Sequence, residues 1–420
     1  MARQAVLEAP GRTEDDVLPP DPPEMEEGGR RHRALTASVA VAVALLIGLA
    51  AGAAWARAHE HRVPPAPVAL GPLLTVDPPD GTAGVRPDAK VTVQANRGRL
   101  SELTAVDDAG HPLAGALAPD GRSWQSAAIL PFDTHYRLTA HLAGVRKRRL
   151  VVRTSSFSTV HPAGLLKPTI TPGDNQTVGV GAPIVLRFKA PVANKAAVLQ
   201  AITVTMSTPV PAAWRWFGPR ELHYRPQQYW PTGEKVSMTA KLANLDAGNN
   251  IWGEADHAVS FSVGDAHVST VDINAHTMTV TTNGATLKTV PISAGRTKYP
   301  TMGGVHIVLD KSQHVVMDSE TVGIPRNSPD GYLEDVYWNV AITNGGEYVH
   351  AAPWSTGAQG SRNVSHGCVN LSTSDARWFY NFSQAGDIVQ VIGSARSPSA
   401  SDAGTADWNI PWEQWVQPIA

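Results

Sequence analysis

A weak internal repeat between about residues 68 and 265 limits the fold of this chain more than any other feature. Gly84-Val85, followed by Pro87 and the alternating Val91-Thr92-Val93, is echoed by Gly179-Val180, Pro183 and Ile184-Val185-Leu186. Leu138-Thr139-Ala140-His141-Leu142 is matched by Met238-Thr239-Ala240-Lys241-Leu242, with Pro131 and Pro231 the same distance upstream. Ser156-Phe157-Ser158 and Ser260-Phe261-Ser262 close the two units. Anchors recurring in the same order about 100 residues apart point to duplication rather than chance likeness between β sequences.

Short runs in which apolar and polar residues alternate, bounded by Gly and Pro, read as strands. Two units of this kind fit tandem immunoglobulin-like β-sandwiches, placed at 68–160 and 161–265. Neither unit holds a catalytic cluster, so both read as spacers or binding modules. With 420 residues, there is room for a further domain. From 266 to 395 the pattern stays β, with strands expected at Val268–Ile273, Met278–Thr282, Val305–Leu309, Val340–Ile342 and Ile388–Ile392. A helix is expected over Ser374–Gln384, where Ala376, Phe379 and Tyr380 recur at helical spacing and Gly386 follows as a stop. The fold class is therefore mainly β. The extension 396–420 opens as a Ser/Ala/Gly-rich loop and ends in DWNIPWEQW, whose tryptophans are expected to pack on a neighbouring domain. Acidic and basic residues nearly balance, for a net charge of -2, which excludes the basic footprint of a nucleic-acid binder.

Ala34–Trp55 carries no charge and is long enough to cross a bilayer as one helix. Arg30, Arg31 and Arg33 precede it, which places the N-terminus in the cytoplasm and the remainder on the outer face of the cell membrane. A cleaved signal peptide is the alternative, but the acidic, Pro-rich stretch before the segment is unlike a signal n-region. The expectation is a disordered cytoplasmic tail at 1–33, a single transmembrane helix at 34–55 and a linker at 56–67. His59, Glu60 and His61 fall in that linker and read as a solvated stretch rather than a metal site.

For an exported protein a single cysteine is unusual, because it has no internal partner for a disulfide. Cys368 lies in HAAPWSTGAQGSRNVSHGCVN, residues 350–370, with His350, His366, Gly357, Gly360 and Gly367 around it. A thiol attacks carbonyls as thiolate, so it needs a base or a nearby cation. His350 ends an expected strand, and the Gly-rich loop is long enough to bring imidazole and sulfur together. The expected state is a sulfur deprotonated by His350 and facing an open cleft. Gly367 lets the amides near it and Cys368 converge on a developing oxyanion. A buried inert thiol, a purely structural His366 and a zinc site remain alternatives. Structural zinc takes four protein ligands and there is no other Cys, so no metal is assigned. The residues alone point to a thiol acyl-transferase or peptidase.

His350, a fourteen-residue spacer and Ser365-His366-Gly367-Cys368-Val369-Asn370 resemble the motif of L,D-transpeptidases. The resemblance extends to Asn327–Tyr332, Ala352–Ser355, Gly357–Gly360 and Asp407–Trp412, and is to the membrane-anchored enzymes of mycobacteria and related actinobacteria. It implies that Cys368 is acylated by a peptidoglycan tetrapeptide stem, with loss of the terminal D-alanine. The acyl group then passes to the side-chain amine of diaminopimelate on an acceptor stem, giving a 3→3 cross-link. It implies His350 as proton acceptor and donor, with the Gly367 and Cys368 amides as the oxyanion hole. By the same resemblance, Tyr332, Gly345, Gly346 and Asn370 line the stem-peptide site. Ser365 and His366 support the loop, and Trp354 and Trp338 wall it. Carbapenems are implied as covalent inhibitors, and no cofactor is implied. Ala351 stands where the family often has Ser; that position acts through its main-chain carbonyl, which Ala also supplies. Hydrolysis of the same acyl-enzyme, an L,D-carboxypeptidase outcome, and a non-catalytic wall-binding protein are the other readings.

Overall fold

The computed structural model describes residues 73–146, 149–398 and 407–417. The expected tail, membrane helix and linker lie outside them. Among the described residues no helix is long and apolar enough to cross a membrane.

The two repeat units are β-sandwiches with the same strand order. In the first, one sheet runs Leu74–Asp77, Thr92–Ala95, Ser123–Ser126, Gly115–Leu117, and the other Thr82–Val85, Arg149–Thr159, His135–Arg146, Arg99–Asp107. In the second, the sheets run Pro168–Thr171, Ile184–Phe188, Glu221–Pro226, Ala212–Phe217 and Gln176–Val178, His257–Val263, Lys235–Ala240, Ile202–Met206. The repeated sequence anchors are core positions. Leu138, Ala140 and Leu142 alternate into the first core, and Met238, Ala240 and Leu242 into the second, each 2% exposed or less. Phe157 and Phe261 occupy corresponding strands, each paired antiparallel on one side and parallel on the other. The period-two pattern survives duplication because every second residue is sealed between sheets. The second unit also contains a short helix, Lys195–Gln200, which the sequence reading missed. It is capped by Asn194, whose side chain accepts from the Ala197 amide. A helix this short offers too little periodicity to be recognised.

The third unit packs two sheets and a helix around one core. Its five-stranded sheet runs Ala285–Pro291, Thr277–Thr282, His267–Asp272, Ile388–Ile392, Gly304–Ile307. The four-stranded sheet runs Asp310–Asp318, Leu333–Ala341, Tyr348–Ala351, Val369–Leu371. Val280 and Ile292 from one side meet Val340, Val349, Val369 and Leu371 from the other, all at or near zero exposure. The helix Thr373–Phe382 lies against the strands of the four-stranded sheet and carries Ala376 and Phe379 into the core. It starts where the Ser372 hydroxyl accepts from the Asp375 amide and stops two residues before the expected end, where Ser383 turns extended. The strand expected at Val340–Ile342 begins instead at Leu333, because it is half of a hairpin with Asp310–Asp318. Its first residues, Leu333 to Asp335, are exposed and show no alternation.

The second sandwich docks closely on this unit. The Gly179 amide donates to Ala385 (2.8 Å) and the Gly181 amide to Gly386 (2.9 Å). A Cβ on Gly179 would stand 2.2 Å from the Asp387 nitrogen, so that approach requires glycine. Residues 407–417 strap the same two units together. Trp408, Trp412 and Trp415 surround the Arg225 guanidinium at 4.7, 5.5 and 4.4 Å. His223 lies buried between Asp407 (2.8 Å) and Glu221 (2.9 Å), and the Asn409 side chain bonds both backbone groups of Val305 on the third unit's strand Gly304–Ile307. The strap thus anchors on sandwich and sheet alike.

Candidate active site

The strand Tyr348–Ala351 pairs in parallel with Val369–Leu371, with His350 opposite Asn370 and Val349 opposite Val369. Side chains alternate across a strand. Val349 and Val369 enter the core, so His350 and Asn370 project from the other face, and Cys368, two residues before Asn370, joins them there. His350 is buried, and its Nδ1 lies 2.9 Å from the Ala351 carbonyl. A carbonyl oxygen only accepts, so Nδ1 carries the proton and Nε2 the lone pair. The alanine main chain therefore sets the tautomer, as the resemblance implied for this position.

The turn carrying Cys368 is pinned from several sides. The Ser365 hydroxyl donates to the Cys368 carbonyl (2.6 Å) and accepts from the Gly367 amide (3.1 Å). The Thr301 hydroxyl donates to the Gly367 carbonyl (2.7 Å) and accepts from the Gly295 amide (2.9 Å). Gly367 has φ of 133°, and a Cβ there would sit 3.1 Å from a Glu347 carboxylate oxygen. Both conformation and crowding favour glycine. His366 supports the turn from outside: its Nε2 accepts from Arg296 (2.8 Å), and its ring lies against Tyr332 (4.9 Å) and Tyr299 (5.1 Å). Burial and the Arg296 charge hold its pKa below the usual histidine range. Asn370 donates to the Ser355 hydroxyl (3.1 Å), which fixes it in the wall.

Two cavities meet at the half-buried sulfur. One, of about 230 Å³, is lined by Met317, Tyr332, Glu334, His350, Trp354, Val364, Ser365, His366, Cys368 and Asn370. The other, of about 430 Å³, reaches Tyr332, Gly345, Gly346, His366 and Cys368, together with Lys298, Thr321, Glu347, Arg396 and their neighbours. Of the residues named from sequence, Trp338 lines neither cavity. Its ring packs edge-on against Tyr380 (5.4 Å) under Arg377 (5.2 Å), on the flank of the helix. Trp338 has a φ of 56°, a break in the strand's regular alternation that sequence spacing did not signal. Met317, Glu334, Lys298, Glu347 and Arg396 were missed by sequence reading; they come from separate segments, and none carries a motif.

The electrostatics correct the expected thiolate. Burial pushes the Cys368 thiol up to about 12, with the Glu347 and Glu334 charges adding to the rise. Burial pushes His350 down to about 4. The thiol points at the Gly346 carbonyl, 3.8 Å away. Removal from water penalises both charged forms, and among the described residues the Tyr348 amide alone works the other way on the sulfur, so burial favours neutral thiol and neutral imidazole at rest. The oxyanion expectation also changes: the Gly367 amide is engaged by Ser365 rather than left pointing at open space. Among the described residues there is no group of three or more His, Cys, Asp or Glu able to hold a metal ion.

A direct consequence concerns simple alkylation. With its pKa about 12, Cys368 is almost wholly protonated at pH 7, so iodoacetamide is expected to react slowly there and about tenfold faster per pH unit from 8 to 11. A fast, pH-independent rate across pH 6–8, read by mass spectrometry, would indicate a resting thiolate–imidazolium pair instead.

Residues 82–246 match the family model for the bacterial Ig domain, and residues 266–391 that for the L,D-transpeptidase catalytic domain. The chain is 41% identical over 349 residues to L,D-transpeptidase 2 of Mycobacterium tuberculosis, covering 82% of this chain and 84% of that protein. It is 33% identical over 365 residues to L,D-transpeptidase 5 of the same organism, covering 85% and 78%. A solved LD transpeptidase in complex with imipenem is 35% identical, with a TM-score of 0.49, over 55% of this chain and 100% of that one. With His350 and Cys368 lining one cavity, an Ig-domain match before them and such relatives along most of its length, the chain belongs to the L,D-transpeptidase family of enzymes.

Proposed function

We propose that this chain forms 3→3 cross-links between peptidoglycan stems through an acyl-enzyme on Cys368, in cell-wall biogenesis at the outer face of the cell membrane. The observation that carries this reading is the His350 tautomer. Its Nδ1–H is held by Ala351, which leaves the Nε2 lone pair as the base in the cavity it shares with the sulfur.

From a neutral pair, the thiol loses its proton to Nε2 as the sulfur bonds the carbonyl carbon between diaminopimelate and the terminal D-alanine of a donor stem. The tetrahedral adduct collapses as Nε2–H returns that proton to the departing D-alanine nitrogen, leaving a thioester. The acceptor amine then adds to the thioester carbon, gives a proton to Nε2, and the sulfur leaves as thiol with that proton. No cofactor enters the balance. Transfer of a proton within a desolvated neutral pair avoids a charged resting state that burial disfavours.

We assign the oxyanion to the Cys368 amide and the Tyr332 hydroxyl. Tyr332 lines both cavities, its hydroxyl has no hydrogen-bond partner among the described residues, and burial raises it to about 12, so it stays a donor at neutral pH. Gly345, Gly346, Asn370 and Trp354 form stem-facing walls. The same thiol is proposed to be acylated by carbapenems, and a structural relative carries imipenem. Anchoring by 34–55 is proposed on the apolar run and its arginine flank.

The test is incubation of the purified full chain with disaccharide-tetrapeptide, read by mass spectrometry. Cross-linked dimer and free D-alanine are expected. Release of tripeptide without any dimer would assign hydrolysis instead, and absence of both would reject the enzymatic reading.

A further inference from the structure

The two cavities that meet at the sulfur differ in charge. Glu334 is the one acidic side chain on the wall of the His350 cavity, and neither lysine nor arginine lines it. The other cavity carries Lys298 and Arg396 and contains neither His350 nor Glu334. Its Glu347 is bonded to Arg396, and behind it Lys298 and Arg296 share the single carboxylate of Asp330, so positive charge is in excess there.

Glu334 is set apart from the other carboxylates around the site. Its carboxylate has no hydrogen-bond or ion-pair partner among the described residues, whereas Asp330 and Glu347 are each held by cations. Although Glu334 is exposed on its strand, partial loss of water around it holds its carboxyl above the usual range, and its charge raises the Cys368 thiol further. A negative group that works against the nucleophile it faces needs a compensating use, and an incoming cation supplies one.

The reaction brings such a cation. A side-chain amine has a pKa of about 10 and arrives as ammonium. It must lose one proton before attacking the thioester and a second during attack. The second goes to His350, so the amine has to enter the cavity that His350 lines, and Glu334 stands on that wall.

We propose that Glu334 is a specificity-determining residue that draws the protonated acceptor amine into the His350 cavity and takes its first proton, the donor stem lying on the Lys298–Arg396 side. This rests on the transpeptidase reading above. The ammonium gives a proton to the Glu334 carboxylate, which later returns it to solvent. The neutral amine forms the C–N bond, its second proton passes through Nε2 to the sulfur, and the C–S bond breaks.

Dimer and hydrolysed tripeptide both arise from one acyl-enzyme, so their ratio reports acceptor capture independently of the acylation rate. In the full chain, Glu334→Gln is expected to lower the dimer-to-tripeptide ratio about tenfold and Glu334→Lys about 100-fold, as loss and reversal of a charge-assisted contact imply. Glu334→Asp is expected to restore it to within about threefold of wild type. Raising salt from about 20 to 300 mM is expected to lower the wild-type ratio and leave that of Glu334→Gln flat. Ratios unchanged by Gln and Lys, or an equal salt response in wild type and Glu334→Gln, would overturn the assignment while leaving the transpeptidase reading intact. Wild-type protein that yields neither product overturns both.

Discussion

Cys368→Ala is expected to abolish dimer formation, tripeptide formation and D-alanine release together, a loss on the order of 10⁶-fold by analogy with removal of other enzyme nucleophiles. D-alanine leaves as the thioester forms, and dimer and tripeptide both arise from that thioester, so no partial activity survives without the sulfur. The substitution removes one half-buried atom and keeps the Ser365 and Thr301 bonds, which run to backbone groups of Cys368 and Gly367. Stability is therefore expected to change by no more than about 1 kcal/mol, checked by thermal unfolding. Residual dimer at even one part in a thousand would place the chemistry elsewhere.

The second large effect is at His350. His350→Ala is expected to lower the single-turnover acylation rate about 10²- to 10⁴-fold, the range for losing a positioned general base. The pH dependence separates loss of a base from loss of shape. In the wild type the base is neutral above its depressed pKa of about 4, so activity is expected to hold as pH falls until it is lost near 4, not near the usual 6.5. In His350→Ala the attacking thiolate must form by itself. Because the thiol is raised to about 12, the residual rate is expected to climb about tenfold per unit from pH 7 to 11. A variant with the same flat profile as wild type would show that His350 is not the base. A wild-type acid limb near 6.5 would contradict the buried neutral ring.

What the sequence disclosed, it disclosed where neighbours in the chain are neighbours in space. The duplicated sandwiches were legible because Leu138, Ala140 and Leu142, like Met238, Ala240 and Leu242, must alternate inward wherever two sheets close on them. That His350 and Cys368 lie together was legible because two adjacent strands and one loop carry the imidazole and the thiol. The rest of the cleft is assembled from distant pieces. Lys298, Thr321, Glu347 and Arg396 converge on one cavity from four separate segments, and Met317 and Glu334 from a hairpin whose exposed residues follow no period. His223 and Asp407 meet across 184 positions. Protonation was also beyond reach, since spacing suggested an ion pair while burial disfavours the charged form of each partner. Trp338 was expected on the wall of the cleft but packs against Tyr380 instead, at a positive φ of 56° that no sequence signal marked.

Intact-mass analysis of the full chain after exposure to a carbapenem tests the central claim most directly, because it asks whether this one half-buried sulfur is activated by its surroundings. At neutral pH the account predicts a single covalent adduct on the wild type, a formation rate reduced at least about 100-fold in His350→Ala, and no adduct on Cys368→Ala. An unmodified wild-type mass, or an adduct that persists on Cys368→Ala, would contradict it.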